Sequence, residues 1–423
     1  MQLRGLLADT RPLAVPAFRR LWLANIVTVV GAQLTVVAVP AQIYAMTGSS
    51  AYVGLTGVFG LVPLVAFGLW GGALADHVDR RLLLVVTTLG LVGTSVLFWV
   101  QAALGAQDVW LLLGLFSVQQ AFFAVNQPTR TAILPALVDT PLLAAASALN
   151  TTVMQAGAIA GPLVAGVLIP FTGFAWLYLA DAVCLLATLY AVLALPPLPV
   201  AGAVGTPGLR SVVDGLVYLR TQPVLLMSFV VDVVAMLFGM PRALFPEIAH
   251  LDFGGPDGGG IAFALLFAAI PAGAVVGGVF SGWVSRVERQ GLGVIVCIVV
   301  WGLAITAFGL AAGLAGGSAG PWLAVAVLAL SVGGGADMAS SALRQSMLLT
   351  AGTDEVRGRL QGVFLVIVAG GPRLADVAHG GAAAVVGASA AAAGGGVLTV
   401  VGVVVAALAV PAFVRYRVAV SPR

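Results

Sequence analysis

Twelve apolar runs, each long enough to cross a lipid bilayer, constrain this chain more than any other feature of its sequence. A bilayer core takes about 20 apolar residues as a helix, and a backbone in lipid must satisfy its own hydrogen bonds. The runs lie near 21–46, 52–75, 82–104, 109–129, 143–169 and 176–195, then near 224–246, 259–285, 292–312, 322–349, 360–387 and 396–414. Composition agrees: 61% of residues are hydrophobic and 8% charged, where soluble chains carry about 25% charged residues. The first run is too long for the apolar region of a cleavable signal peptide, so it is expected to stay as the first span. Cys184 and Cys297 sit in apolar runs far apart. They offer neither a disulfide framework nor metal-ligand spacing and read as packing residues.

Between the sixth and seventh runs, Pro196, Pro197 and Pro199 open a stretch that a helix interior would not accept. Residues 196–222 therefore read as a cytoplasmic linker joining two six-helix halves, 1–195 and 223–423. Within the linker, Leu209, Val212, Val213, Leu216 and Val217 share one helix face, opposite Arg210, Ser211 and Asp214. That amphipathic face either lies on the membrane surface or packs on the protein. Every one of the 19 basic residues is an arginine. With the N-terminus inside, 16 of the 19 fall in cytoplasmic segments, and the other three, Arg242, Arg344 and Arg373, fall within spans. The external loops then hold none, as the positive-inside rule requires. Both termini are expected in the cytoplasm, and the net charge of +3 reports membrane sidedness rather than a nucleic-acid partner.

Two motifs stand out. The loop Gly72-Ala73-Leu74-Ala75-Asp76-His77-Val78-Asp79-Arg80-Arg81 places small residues, a carboxylate and two cations at a helix end. Asp76 can accept hydrogen bonds from a neighbouring helix N-terminus, a contact that one conformation makes and another breaks. The blander reading is charge that only sets topology. In the fifth run, Gly157-x-x-x-Gly161-Pro162-x-x-Ala165-Gly166 lets helices approach closely, and Pro162 permits a kink. The halves also echo each other. Gly71-Gly72 precedes Val78 and Arg80 as Gly277-Gly278 precedes Val284 and Arg286.

The first motif resembles the signature between spans two and three of the major facilitator superfamily. His77 and Asp79 depart from it, standing where a basic residue and a glycine are usual, so the turn is expected to be less tight. The second motif resembles that of the superfamily's drug/proton antiporters, with Ala165 in place of one glycine. The stretches Pro16-Ala17-Phe18-Arg19-Arg20-Leu21-Trp22, Ala38-Val39-Pro40-Ala41-Gln42-Ile43-Tyr44 and Thr131-Ala132-Ile133-Leu134-Pro135-Ala136-Leu137-Val138 are most similar to bacterial enterobactin (siderophore) exporters. Macrolide and multidrug exporters have similar stretches.

The resemblance covers nearly the whole chain. It implies an all-α membrane protein of twelve transmembrane helices in two pseudo-symmetric six-helix bundles, binding substrate between parallel halves. It also implies Gly72, Asp76, Arg80 and Arg81 as gating residues, and Gly157, Gly161, Pro162 and Gly166 as the antiporter motif. One feature of drug/proton antiporters, an arginine within span four, is missing. That span reads Phe116-Ser117-Val118-Gln119-Gln120-Ala121, so coupling through that position is not carried over.

Polar groups in lipid are costly enough to need a partner or a task. Asn25, Thr28, Thr35 and Gln42 share an arc of span one, and Gln119, Asn126 and Arg130 share an arc of span four. Such stripes face either a water-filled cavity or other helices, and the resemblance places both spans around the central cavity. Candidate cavity residues are Asn25, Gln33, Gln119, Gln120, Arg130, Arg344 and Arg373. Span seven carries Asp232 with no cation on its own helix, span ten carries Asp337 and Arg344, and span eleven carries Arg373, Asp376 and His379. Asp337–Arg344 and Arg373–Asp376 read equally as structural ion pairs. Burial disfavours a charged carboxylate, so Asp232 is the first candidate for carrying a coupled proton, with Asp337 and Asp376 next.

The chain offers no Gly-x-Ser-x-Gly and no His-Glu-x-x-His. Its three histidines, His77, His250 and His379, are scattered, so neither an enzyme activity nor a metal or cofactor is expected. The expected function is proton-coupled export of a small amphipathic molecule such as a catecholate or phenolate siderophore. The alternatives are a multidrug or macrolide efflux pump and, in another class, a membrane scaffold or sensor without transport. The expected partners are the substrate, protons and the bilayer, for a monomer in the bacterial inner membrane.

Overall fold

The computed structural model of the chain describes residues 9–75, 78–196, 217–350 and 354–417, and for residues 69–75, 285, 349–350 and 354–366 it describes the backbone alone. Eleven main helices follow one another: α1 Pro16–Thr47, α2 Ser50–Ala75, α3 Arg80–Ala103, α4 Val109–Ala132, α5 Leu143–Leu193, α6 Pro223–Gly239, α7 Gly260–Val279, α8 Gln290–Leu314, α9 Pro321–Thr350, α10 Asp354–Val386 and α11 Ala388–Ala409. Among the described residues there is no strand. Ten stretches of the described residues are long and apolar enough to span a membrane. One of these, Thr140–Leu193, is a pair, because α5 folds at Gly173 with φ 72° and ψ 177°. Glycine has no Cβ to oppose that positive φ. With α5 counted as two arms and the more charged α10 added, the described helices match the number of apolar runs.

Aspartates start two of the helices. The Asp79 carboxylate accepts from the backbone N–H of Arg81 at 2.8 Å and Leu82 at 3.3 Å. Asp108 does the same for Trp110 and Leu111 at the start of α4. Each cap satisfies backbone donors that a helix leaves unpaired, a contribution of about 1 kcal/mol. The residue that departs from the family's usual glycine is thus the cap that starts α3.

Several helix boundaries differ from the sequence reading, two of them for a visible reason. The last long helix begins at Ala388 rather than near 396, because Gly387, at φ 83°, makes the turn. Gly394-Gly395-Gly396 lies inside the helix and lets it pack closely, since a Cβ on Gly395 would meet the Phe238 carbonyl oxygen and His379. Span seven stops as a regular α-helix at Gly239 and continues through short turns, Arg242–Leu244, Phe245–Glu247 and Ile248–Asp252. Arg242 is exposed on the first of these turns.

The chain forms two compact units. One comprises Met1–Val39 with Val62–Thr206, and the other Pro40–Leu61 with Pro207–Arg423. In the first, Phe18, Val138, Ala146 and Leu149 are buried together. In the second, Phe245 sits edge-on to Phe267 and Phe308, at centroid distances of 5.1 and 5.7 Å. Asp76, His77 and the linker residues Leu209, Val212, Val213 and Leu216 lie outside the described residues.

Candidate functional site

In the first unit the two expected polar stripes divide between roles. Asn25 and Arg130 line one cavity of about 270 Å³, with Phe18, Trp22, Gln127 and Asn150 among its other walls. Arg130 has no carboxylate partner among the described residues. Other members of the stripes face helices instead. Asn126 donates to Thr87 and Thr88 on α3, at 2.8 and 3.3 Å. Thr28 meets Thr188 at 2.5 Å and Thr35 donates to Asp181 at 2.7 Å. Gln119 and Gln120 are elsewhere on α4, outside that cavity. The Gln33 side chain lies over Gly161.

The glycines of the fifth span do what small residues do in membranes. A Cβ on Gly157 would collide with Val29 Cγ1, and one on Gly161 with Gln33 Cβ, so α1 and the first arm of α5 approach closely. Pro162, Ala165 and Gly166 are buried in the same arm. Gly72 lies in the last turn of α2, which ends at Ala75. Arg80 donates to the Ala132 carbonyl at the end of α4, at 3.1 Å, and Arg81 to the Leu193 carbonyl at the end of α5, at 2.6 Å. Both cations thereby satisfy carbonyl groups where helix dipoles are negative.

In the second unit Asp232 finds on another helix the cation that its own helix lacks. Arg344 of α9 reaches across to it and forms an ion pair, with the two side chains 4% and 1% exposed. The cation was in plain sight on span ten, yet helical spacing within one span could not show a contact between spans. Arg344 therefore serves Asp232, and Asp337 forms no ion pair among the described residues. On α10, Asp376 feels the charges of Arg373 and Arg242. His379 is buried, hydrogen-bonded to the Phe238 backbone, and packed where Gly395 leaves room.

Two features escaped the sequence reading. Asp181, the only charged residue of its apolar run, is 1% exposed in the second arm of α5. Gly54, Gly57 and Gly60, at three-residue spacing, seat the start of α2 against α10. There the Arg373 side chain covers Gly60, and a Cβ on Gly54 would fall 2.6 Å from the Asp376 carbonyl oxygen. At the same end, Glu247 accepts from the Ser50 N–H that starts α2, at 3.2 Å.

Membrane helices in two units, with ion-paired arginine and aspartate buried inside and glycine-lined contacts between helices, are the build of a secondary transporter. The chain belongs to the transmembrane secretion effector family of the major facilitator superfamily, whose sequence profile matches residues 8–420. An enterobactin exporter of Citrobacter koseri is 30% identical over 357 residues, 82% of this chain and 81% of its own length. One from Escherichia coli is 31% identical over 360 residues, with the same coverage. A solved nucleoside transporter shares the fold with a TM-score of 0.76 at 13% identity, covering 94% of this chain and 99% of its own. A bacterial homologue of the lysosomal transporter Spinster gives 0.69 at 17%, covering 98% and 100%. The protein is a multi-pass inner-membrane transporter that moves a small molecule, and not an enzyme.

Proposed function

We propose that this transporter exports an amphipathic molecule with acidic and aromatic groups, of the catecholate or phenolate siderophore class, in exchange for protons. One observation carries the reading of the cargo. Arg130 faces a cavity of about 270 Å³ with no carboxylate partner among the described residues, beside Trp22, Phe18, Asn25 and Asn150. A guanidinium without a counter-charge suits an anionic or phenolic oxygen, the aromatic rings suit a ring of the cargo, and the amides suit its hydrogen-bonding groups. A permanently cationic drug would meet that arginine unfavourably. The exporters named above add to this reading through their shared family.

Proton coupling rests on the buried charges. Asp232 exchanges Arg344 for a proton in this scheme, with Asp337 and Asp376 as further candidates. One charge falling through about 100 mV releases ~2.3 kcal/mol, enough for roughly a fifty-fold gradient of cargo at ~1.4 kcal/mol per tenfold. Gly72, Asp76, Arg80 and Arg81 form the gate on the cytoplasmic side, and Gly157, Gly161, Pro162 and Gly166 the antiporter contact. The halves 1–195 and 223–423 alternate around the linker 196–222, in a monomer.

Deleting the gene is expected to raise intracellular siderophore under iron limitation while sensitivity to cationic dyes changes little. Restoring it with Arg130→Gln is expected to lower siderophore efflux about tenfold, the loss of ~1.4 kcal/mol of charge-assisted contact. Unchanged secretion with lost dye efflux in the deletion strain would move the protein to the multidrug or macrolide class.

Orientation has its own test. Both termini are cytoplasmic in this proposal, because the arginines of the loops fall on that side. Cysteines at Ser49 and Ser318 are expected to react with impermeant thiol reagents in intact cells, and one at Ser211 is not. Labelling of Ser211→Cys from outside would refute the arrangement.

A further inference from the structure

The charges of α6, α9 and α10 leave one buried carboxylate of the other unit without a task. Asp181 sits in the second arm of α5, 1% exposed. Its Oδ2 accepts two hydroxyl hydrogen bonds, from Thr35 of α1 at 2.7 Å and from Ser95 of α3 at 2.8 Å. Its Oδ1 is sealed from solvent and has no hydrogen-bond partner among the described residues. Gly31 makes the notch that admits it, since a Cβ there would fall 3.0 Å from Oδ1 and 2.8 Å from Cys184 Cβ.

No cation faces this carboxyl among the described residues. Helix α1 brings Gly31 and Thr35 to it, and α3 brings Ser95. Its own helix brings Tyr178 and Cys184, which carry no positive charge. Asp232, by contrast, has Arg344. An anion at Asp181 would leave one oxygen without a donor in a medium that stabilises charge poorly. The acid form removes that charge and keeps both hydroxyl bonds, now to a carbonyl oxygen.

We propose that Asp181 is a proton-binding site, taking its proton on Oδ1 while Thr35 and Ser95 hold Oδ2. As Thr35 and Ser95 belong to helices other than the one that bears Asp181, movement of α1 or α3 removes donors from the carboxylate or supplies them. Proton occupancy is thereby tied to the conformation of the unit. Participation of this proton in export rests on the function proposed above, whereas its binding does not, so the two are tested apart.

The purified protein in lipid is examined by infrared spectroscopy across a pH series, without cargo. A protonated-carboxyl C=O band is expected, and Asp181→Asn is expected to remove one component of it. Asp232→Asn is expected to leave that component in place. Thr35→Val keeps the carboxyl but deletes one hydrogen bond to its carbonyl, so the component is expected to move to higher wavenumber. Ser95→Ala is expected to do the same, and either variant carries the test should Asp181→Asn fold poorly. A band untouched by Asp181→Asn and unmoved by Thr35→Val would overturn the proposal. So would a component that vanishes when sodium replaces potassium, which would make the site one for a cation. Unchanged siderophore secretion with lost dye efflux in the deletion strain would refute the proposed cargo and alter neither result.

Discussion

Asp232→Asn is expected to abolish uphill transport while downhill exchange of cargo continues. The amide keeps the size of the side chain and its contact with α9, but it takes no proton and offers Arg344 no charge. The physical ground is the ion pair, whose members are nearly inaccessible to solvent. Removing one partner of a buried pair strands the other, a loss of about 3–5 kcal/mol. Asp232→Ala is accordingly expected to lower the unfolding temperature of the purified protein as well as its activity. Pairing Asp232→Asn with Arg344→Gln removes both charges together and is expected to recover most of that stability without recovering uphill transport. The measurement is cargo accumulation in proteoliposomes with and without a proton gradient, beside a thermal melt of each variant. Uphill transport that survives in Asp232→Asn would pass the coupling role to Asp337 or Asp376.

Much of the architecture was legible because lipid imposes it. A backbone that must bond to itself and a core about 30 Å thick leave long apolar runs only one form. Gly173 and Gly387, which make turns, and Asp79 and Asp108, which start helices, act through neighbours in sequence. The sequence reading assigned none of these roles, and it placed the helix that follows Gly387 near 396 instead of at Ala388. The Gly394-Gly395-Gly396 run lies inside a helix although glycine costs a helix about 1 kcal/mol, and only the nearness of Phe238 and His379 shows what is gained in exchange.

The candidate site was legible by residue type and not by partner. Asp232 and Arg344 were both picked out, but each was judged against its own helix, and their contact joins helices 112 positions apart in numbering. Arg130 and Asn25 were selected on separate helices, and the fold brings them to one cavity. Asn126, on the same arc as Arg130, turns to hydroxyls of α3 instead. Helical periodicity gives a face to each residue, whereas packing decides what that face meets. Asp181 needed no structure to be noticed, since a lone charge in an apolar run is a signal by itself. Its hydroxyl partners Thr35 and Ser95 did need one.

Gly57→Leu is expected to damage transport as severely as loss of a charge, although it touches no ionisable group. Gly57 faces the backbone of α10, where any Cβ would collide with the Arg373 carbonyl oxygen and fall 2.8 Å from Val377 Cγ2. The same contact continues on both sides. A Cβ on Gly380 would lie 2.6 Å from the Ser50 carbonyl oxygen, and one on Gly54 3.0 Å from Gly380 Cα. A backbone carbonyl cannot swing aside as the tip of a long side chain can. Even an alanine must therefore push the helices apart by roughly 1 Å, the scale on which dispersion contacts are forfeited. Overpacking of this kind costs about 1–3 kcal/mol, and leucine is expected to exceed it. Arg373 and Asp376 ride on the displaced segment, so their placement suffers with the packing. Gly93 supplies the control, for a Cβ there meets nothing within 4 Å among the described residues, and Gly93→Ala replaces a poor helix former with a good one. The comparison is the unfolding temperature and transport rate of Gly57→Ala, Gly57→Leu and Gly93→Ala in the same lipid. A graded loss along the Gly57 series, with Gly93→Ala at or above the parent, is the expected pattern. Equal behaviour of Gly57→Ala and Gly93→Ala would mean that α2 and α10 yield at no cost, and that the glycine seat has no bearing on transport.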